Sequence, residues 1–181
     1  MFERLFGGLP ARSVQPAVVE AQAEFEPAPV RFRPRLISQF TQDHAQLRAA
    51  VRGLLDACRR RDEDAQIVGL RSVAAEFRRI SLTKSVQLYP YLRWGLENDR
   101  VATIQFKAVH AEVQRASEQI DAILAEYLQG PWLSAVRRRL MADVIRLAHL
   151  LAQALRSEET SLFPLYLPPG QYRHVRHAHA H

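Results

Sequence analysis

The chain has 181 residues, of which 48% are hydrophobic, and it carries a net charge of +6 at pH 7. That length suits one domain with a sizeable core, and no apolar run approaches the ~18 residues that a membrane-spanning helix needs. The single cysteine, Cys58, excludes a disulfide within the chain and is expected to pack in the core. The first residues, MFERLFGGLPARS, form too short an apolar stretch for a secretory signal, so a cytoplasmic location is predicted.

The positive net charge raises the question of nucleic-acid binding. Arginines form three short clusters on three predicted helices: Arg59 to Arg61, Arg78 with Arg79, and Arg137 to Arg139. Acidic residues are interleaved elsewhere, and no helix-turn-helix, zinc-finger or basic–aromatic motif accompanies the clusters. We interpret them as solvated helix faces and expect no nucleic-acid partner.

Residues 1–35 contain prolines at 10, 16, 27, 29 and 34 and show no sustained apolar period. Repeated prolines predict a flexible or extended arm, because proline removes a backbone donor and restricts the residue before it. Its first six residues, MFERLF, are a candidate docking segment for a protein partner.

From Leu36 onwards, apolar residues recur at alternating spacings of three and four, as they do along the packed face of a helix. The four successive seams are Ile37, Phe40, His44, Leu47, Val51, Leu54 and Cys58; then Leu70, Val73, Phe77, Ile80, Lys84 and Tyr91; then Thr103, Phe106, His110, Val113, Ser117, Ile120, Leu124 and Tyr127; and finally Leu140, Val144, Leu147, Leu151, Ala154, Glu158 and Leu165. Polar or Pro/Gly-containing segments separate them, the first at Arg61–Asp64.

These seams predict an all-α protein, an up-down-up-down four-helix bundle over residues 36–167. No strand pattern competes with them. The remaining residues, 168–181, form a short His-rich tail that is expected to be too polar to join the core.

Each seam is interrupted by a polar residue: His44, Lys84, His110 and Glu158. With alternating helix directions and a rise of ~1.5 Å per residue, all four are predicted at about the same height near one end of the bundle. The sequence therefore predicts a polar layer that crosses the core.

The segments that carry this layer resemble motifs of the hemerythrin-like (HHE cation-binding) family. Gln42–Leu47 resembles the family's histidine motif on the first helix, and Val109–Val113 resembles that on the third. Ser157–Pro164 closely resembles the closing motif of the fourth helix, and Val86–Leu92 resembles its counterpart on the second. The resemblance covers residues ~36–167 and implies a helical bundle that holds two irons with imidazoles and bridging carboxylates.

The departures from the family pattern fall on its metal ligands. Family members carry His-x-x-x-Glu on the second and fourth helices, each followed by Leu-Phe/Tyr-Pro. Counting back from these closing motifs puts Ile80 at the second helix's His position and Lys84 at its Glu position, while Ala154 replaces the fourth helix's His. Three of the family's six ligand positions keep a ligand-type residue, namely His44, His110 and Glu158.

A buried ammonium needs a partner, because unpaired burial costs several kcal/mol. We therefore predict that Lys84 pairs with Glu158, its positive charge replacing that of the metal. No di-iron centre and no cofactor are expected. Iron at His44, His110 and Glu158 is what the resemblance alone would imply, although in this family the first- and third-helix histidines normally serve different irons.

Two other groups of histidines suggest different functions. His149 is predicted to be exposed on the fourth helix, as in histidine phosphotransfer bundles, but the residues that usually follow such a histidine are absent. The tail histidines could bind zinc, nickel or copper, although a disordered tail has no preorganised geometry. They are His174, His177, His179 and His181.

No combination of nucleophile, base and oxyanion donors can be assembled from these residues, so no enzyme is predicted. We predict a non-enzymatic regulatory or protein-interaction module. The alternative, implied by resemblance to intact family members, is an iron-binding sensor or binder of oxygen, nitric oxide or iron.

Overall fold

The computed structural model describes residues 31–130 and 134–172, and within these ranges all regular structure is helical. The α-helices are α1 (Leu36–Arg60), α2 (Glu63–Thr83), α3 (Tyr89–Gly95), α4 (Arg100–Gln129) and α5 (Ser134–Ser157). A π-helical turn, Lys84–Leu88, joins α2 to α3. A second π-helical turn, Glu158–Leu162, follows α5 and leads into a 3₁₀ turn, Phe163–Leu165. The predicted all-α class is confirmed for the described residues.

Helix α1 begins at Leu36, as its apolar period predicts, and all of its predicted seam residues except the partly buried Ile37 are buried. It ends at Arg60, and the next residue, Arg61, takes the left-handed conformation with φ 57°. Asp62 then caps α2, and its carboxylate accepts the backbone N–H of Ala65 at 3.1 Å. The turn is shorter than the predicted Arg61–Asp64, because acidic residues are favourable in the first turn of a helix and α2 begins at Glu63.

Helices α2 and α3 form the second predicted helix, interrupted by one wide turn. Pro90 lies in the first turn of α3 and has no N–H to donate to the preceding turn. The N–H of Tyr89 instead donates to the carbonyl of Lys84, five residues back, as in a π-helical turn. The proline-containing closing motif thus sets the local geometry directly after Lys84.

The four long helices enclose one apolar core. Helix α1 contacts α2 and α5, and α4 contacts α5 and α2. Side chains from all four helices form a continuous buried cluster that includes Leu47, Leu70, Ile120 and Leu147. Cys58 is buried at its edge, as predicted, and burial raises the pKa of its thiol.

The folded region begins before residue 36, contrary to the predicted arm boundary. The ring of Phe32 lies 5.2 Å from that of Tyr166 and 5.8 Å from that of Tyr91. The backbone N–H of Arg33 donates to the Tyr166 hydroxyl at 2.9 Å. An aromatic side chain with apolar partners packs even where its neighbours in the sequence are polar or proline. The predictions for residues 1–30, including the docking segment MFERLF, lie outside the described residues.

The folded region also extends beyond residue 167, into the predicted tail. The Tyr172 ring packs edge-on against Trp94, with ring centroids 6.3 Å apart. Its hydroxyl donates to the carbonyl of Leu165 at 2.5 Å and accepts the N–H of Leu167 at 2.9 Å. Residues 168–172 therefore close this end of the molecule, and the four tail histidines lie outside the described residues.

None of the described helices combines the length and the hydropathy that crossing a lipid bilayer requires.

Candidate functional site

A buried ion pair joins the two turns that follow α2 and α5. Nζ of Lys84 lies 2.5 Å from Oε2 of Glu158, and the two residues are only 5% and 0% exposed. Each is the first residue of a π-helical turn, so corresponding points of the two wide turns face each other across the core. The structure thus brings Lys84 and Glu158 together in the polar layer.

Tyr89 supplies the second hydrogen bond to the Glu158 carboxylate. Its hydroxyl donates to Oε1 at 2.7 Å, so each carboxylate oxygen accepts a hydrogen bond from the protein. Burial and the Glu158 charge raise the pKa of the Tyr89 hydroxyl far above its usual range, which keeps it protonated as a donor. Sequence reasoning missed this residue. The signal was its place in the Leu-Tyr-Pro closing motif, directly after the wide turn.

His44 lies on the other side of the ion pair, fully buried against the ring of Phe163. Its Nδ1 lies 2.7 Å from Oε1 of Glu159, whose other oxygen accepts a hydrogen bond from Arg48 at 2.8 Å. With Nδ1 donating to a carboxylate, Nε2 is left as an acceptor. It has no hydrogen-bond partner among the described residues and lies 3.6 Å from Oε2 of Glu158.

The charge state of His44 follows from these neighbours. Burial is the largest influence and lowers the pKa of the imidazole, and the Lys84 ammonium lowers it further. The carboxylates of Glu158 and Glu159 act in the opposite direction without overcoming these effects. His44 is therefore held neutral, which places the uncharged Nε2 beside the ion pair.

His110 lies close to the layer but does not hydrogen-bond to its other members. Its ring contacts that of Tyr89 edge to face, with centroids 4.4 Å apart and an interplanar angle of 86°. Burial, followed by the positive charge of Arg93, lowers the pKa of this imidazole, although Glu158 acts to raise it. Of the four predicted layer residues, His44, Lys84 and Glu158 lie next to one another. His110 instead contacts Tyr89, which in turn hydrogen-bonds to Glu158.

These residues do not fit a di-iron centre. Ile80 and Ala154, where the resemblance would place histidine ligands, are buried and supply no donor atom. The Glu158 carboxylate has both oxygens engaged by Lys84 and Tyr89. Among the described residues, no group of three or more His, Cys, Asp or Glu side chains is arranged to hold a metal ion. The donor set and its hydrogen bonds suit an ammonium in this layer.

His149 is exposed on α5, as its place outside the fourth seam predicts. It lies on α5, the helix that leads into the Glu158 turn, but outside the polar layer.

No known family model, curated protein or solved structure matches this chain.

Proposed function

We propose that the chain is a degenerate hemerythrin-like four-helix bundle in which an internal ion pair replaces the metal centre. On this proposal it acts without catalysis, as a regulatory or protein-interaction module. The bundle is taken to be up-down-up-down, since short connections favour antiparallel neighbours. The pairwise contacts of α1, α2, α4 and α5 support this arrangement.

The observation that carries the proposal is the contact between Lys84 and Glu158. A divalent metal would bring positive charge to this layer and would take its ligands from carboxylates and imidazoles. Here the Lys84 ammonium lies 2.5 Å from the carboxylate that matches the family's fourth-helix ligand. A fixed cation at that point repels a divalent ion and satisfies the carboxylate without one.

The alternative is the iron-binding sensor that intact family members would imply. The unpartnered Nε2 of buried His44 is the observation in its favour, because a bare imidazole nitrogen is a ligand for iron. It would require Lys84 to leave Glu158, which exposes an ammonium to an apolar interior. We therefore favour the metal-free layer.

The test is the metal content and the near-ultraviolet to visible spectrum of full-length protein from iron-supplemented cells, measured again after anaerobic incubation with ferrous iron. We expect well below one iron per chain and no oxo-bridge absorption. Two irons per chain with oxo-bridge absorption would establish the alternative. The same measurement on Lys84→Met is a matched control, because it removes the cation while leaving His44, His110 and Glu158 in place.

A further inference from the structure

A cleft of about 440 Å³ opens beside α2 and α4 and reaches the ion pair. This volume lies within the range of small-molecule sites, which are mostly apolar with a few polar groups that orient the ligand. Its lining is largely apolar, and its polar end contains the hydrogen-bonded Lys84, Tyr89 and Glu158. Gln114 and Asp121 line it further along α4. The apolar lining includes Leu47, Phe77, Ile80, Val113, Ile120 and Leu155.

Small side chains create this space. Ser81 and Ser85 line it from the α2 side, Ser117 from α4 and Ala154 from α5. Ala154 lies where the family pattern has a histidine, so the volume of an imidazole is missing from the wall. The cleft is open to solvent, because Leu82, Ser85 and Arg93 on its lining are exposed, so a small molecule can enter it.

The charges at the polar end favour a negative group. Lys84 and Glu158 neutralise each other, which leaves no net charge from the pair. Arg93 lines this cleft together with His110, and both also line an adjoining cleft that contains Lys107 and Glu97. Near His110, Arg93 and Lys107 stand against one carboxylate, Glu97, and Arg93 forms no ion pair with any described residue. The other carboxylate on the cleft lining, Asp121, lies eleven residues further along α4, about 16 Å away.

We infer that the cleft is a binding site for a small carboxylic acid with an apolar tail. The carboxylate head lies between Arg93 and His110, and the tail runs along α4 towards Ile120. The lining on α4 extends from His110 to Asp121, which is about 16 Å of helix. The inference rests on the proposed function, because an ion-paired Lys84 is what keeps the polar end neutral and the cleft free of metal.

The test uses octanoate, titrated into full-length, chelator-treated protein by calorimetry, with thermal midpoint as a second measurement. We expect saturable binding of one octanoate per chain and a higher midpoint in its presence. Octanol and octylamine have the same tail, so both should bind more weakly if a negative head is recognised.

Arg93→Gln should weaken octanoate binding about fivefold, the scale of an exposed charge interaction. Arg71→Gln, an exposed arginine on α2 outside the cleft, is its control.

Blocking the cleft gives a second, independent measurement. Ser117→Leu adds bulk to the α4 wall and should abolish octanoate binding, whereas Ala111→Leu, on an exposed position of the same helix, should not. Ser81→Leu replaces Ser117→Leu if circular dichroism shows that the latter does not fold. Equal affinity for octanol and octanoate, or full binding by a folded blocking variant, overturns the inference. If the metal-free protein fails to bind octanoate, the binding-site inference is overturned but the proposed function is not. If the iron experiment described above gives two irons per chain, the proposed function is overturned.

Discussion

The Lys84 ammonium and the Glu158 carboxylate are buried in an apolar interior, where each is the other's ionic partner. Removing two ions from water costs as much as their attraction returns, so a buried pair need not add net stability. Its effect is on specificity, because an alternative packing that separates the two charges leaves both unsatisfied. The Tyr89 hydroxyl adds to this requirement, since it has to reach the same carboxylate.

Removing one member of the pair should therefore be far more costly than removing both. We expect Glu158→Leu to lower the free energy of unfolding by about 3–5 kcal/mol, because Lys84 is left buried and unpaired. Lys84→Met combined with Glu158→Leu should be much less destabilising. Chemical denaturation of wild type, both single variants and the double variant measures the coupling. Additive effects would contradict the pairing.

His44 should make the protein sensitive to acid. Its pKa in the folded state is below the ordinary value of 6.5, because of burial and then Lys84, so the unfolded state binds the proton more tightly. The stability that neutral His44 contributes is thus complete above about pH 6.5 and declines as the pH falls below it. Glu159 adds to the loss at lower pH. Burial opposes its ionisation, but hydrogen bonds from Arg48 and His44 outweigh burial and lower its pKa below 4.5.

We expect the thermal midpoint to fall between pH 7 and pH 5, and to fall less steeply in His44→Asn. Asparagine can donate towards Glu159 but does not titrate. The comparison is of pH slopes, which separates the effect of titration from the packing loss that the substitution also causes. His149→Asn is the control, because it removes an exposed imidazole from α5. An unchanged slope in His44→Asn would show that His44 does not carry the acid sensitivity.

At the scale of elements, the two π-helical turns align the site. Each begins at a member of the ion pair and ends just before an aromatic residue and a proline. In both, the N–H after the turn donates five residues back, to Lys84 or to Glu158. This wider turn changes the direction in which the following aromatic residue projects. Tyr89 thereby points to the carboxylate, and Phe163 packs against the ring of His44.

The segment before α1 is a second element-scale feature, because Phe32 packs against Tyr91 and Tyr166. Phe32→Ala should lower the free energy of unfolding by about 1–2 kcal/mol, less than the loss for a fully buried phenylalanine. The same change at Ile104, which is 60% exposed on α4, should cost below about 0.5 kcal/mol. Denaturant midpoints of the two variants decide this. Equal, negligible effects would place the start of the folded region at residue 36 after all.

At the scale of the whole molecule, the packing of the long helices places Ile80 and Ala154 beside the residues of the polar layer. Ile80 and Ala154 line the cleft that also reaches Lys84, His110 and Glu158. If the fold is that of a hemerythrin-like bundle, restoring the ligands should restore the metal.

We expect the triple change Ile80→His, Lys84→Glu and Ala154→His to bind up to two irons per chain. Without metal it should be less stable than wild type, because two larger polar side chains enter a packed layer. Ferrous iron should then raise its thermal midpoint, since it binds the folded state preferentially. Iron stoichiometry and midpoint are measured with and without iron, beside wild type and Lys84→Glu alone. A folded triple variant that takes up no more iron than wild type would contradict the hemerythrin-like reading of this layer.

The sequence by itself determined the all-α class and the register that places Lys84 opposite Glu158. Apolar periodicity and turn residues are local, so they place the start of α1 at Leu36 and most of the buried seam residues. Thr103, Ser117 and Leu165 of the predicted seams are only partly buried. Counting residues from the closing motifs was sufficient to place Lys84 opposite Glu158. Side-chain contacts between distant segments could not be obtained in this way.

Only the tertiary structure decided which atoms meet. Tyr89, rather than His110, hydrogen-bonds to Glu158, and Glu159 determines which nitrogen of His44 faces the ion pair. Phe32 and Tyr172 lie in segments with no helical apolar period, yet both pack against the core because complementary aromatic surfaces exist there. The cleft beside α4 likewise depends on small side chains from three helices. Each of these features arises from contacts between residues far apart in the chain, and a local sequence pattern does not encode such contacts.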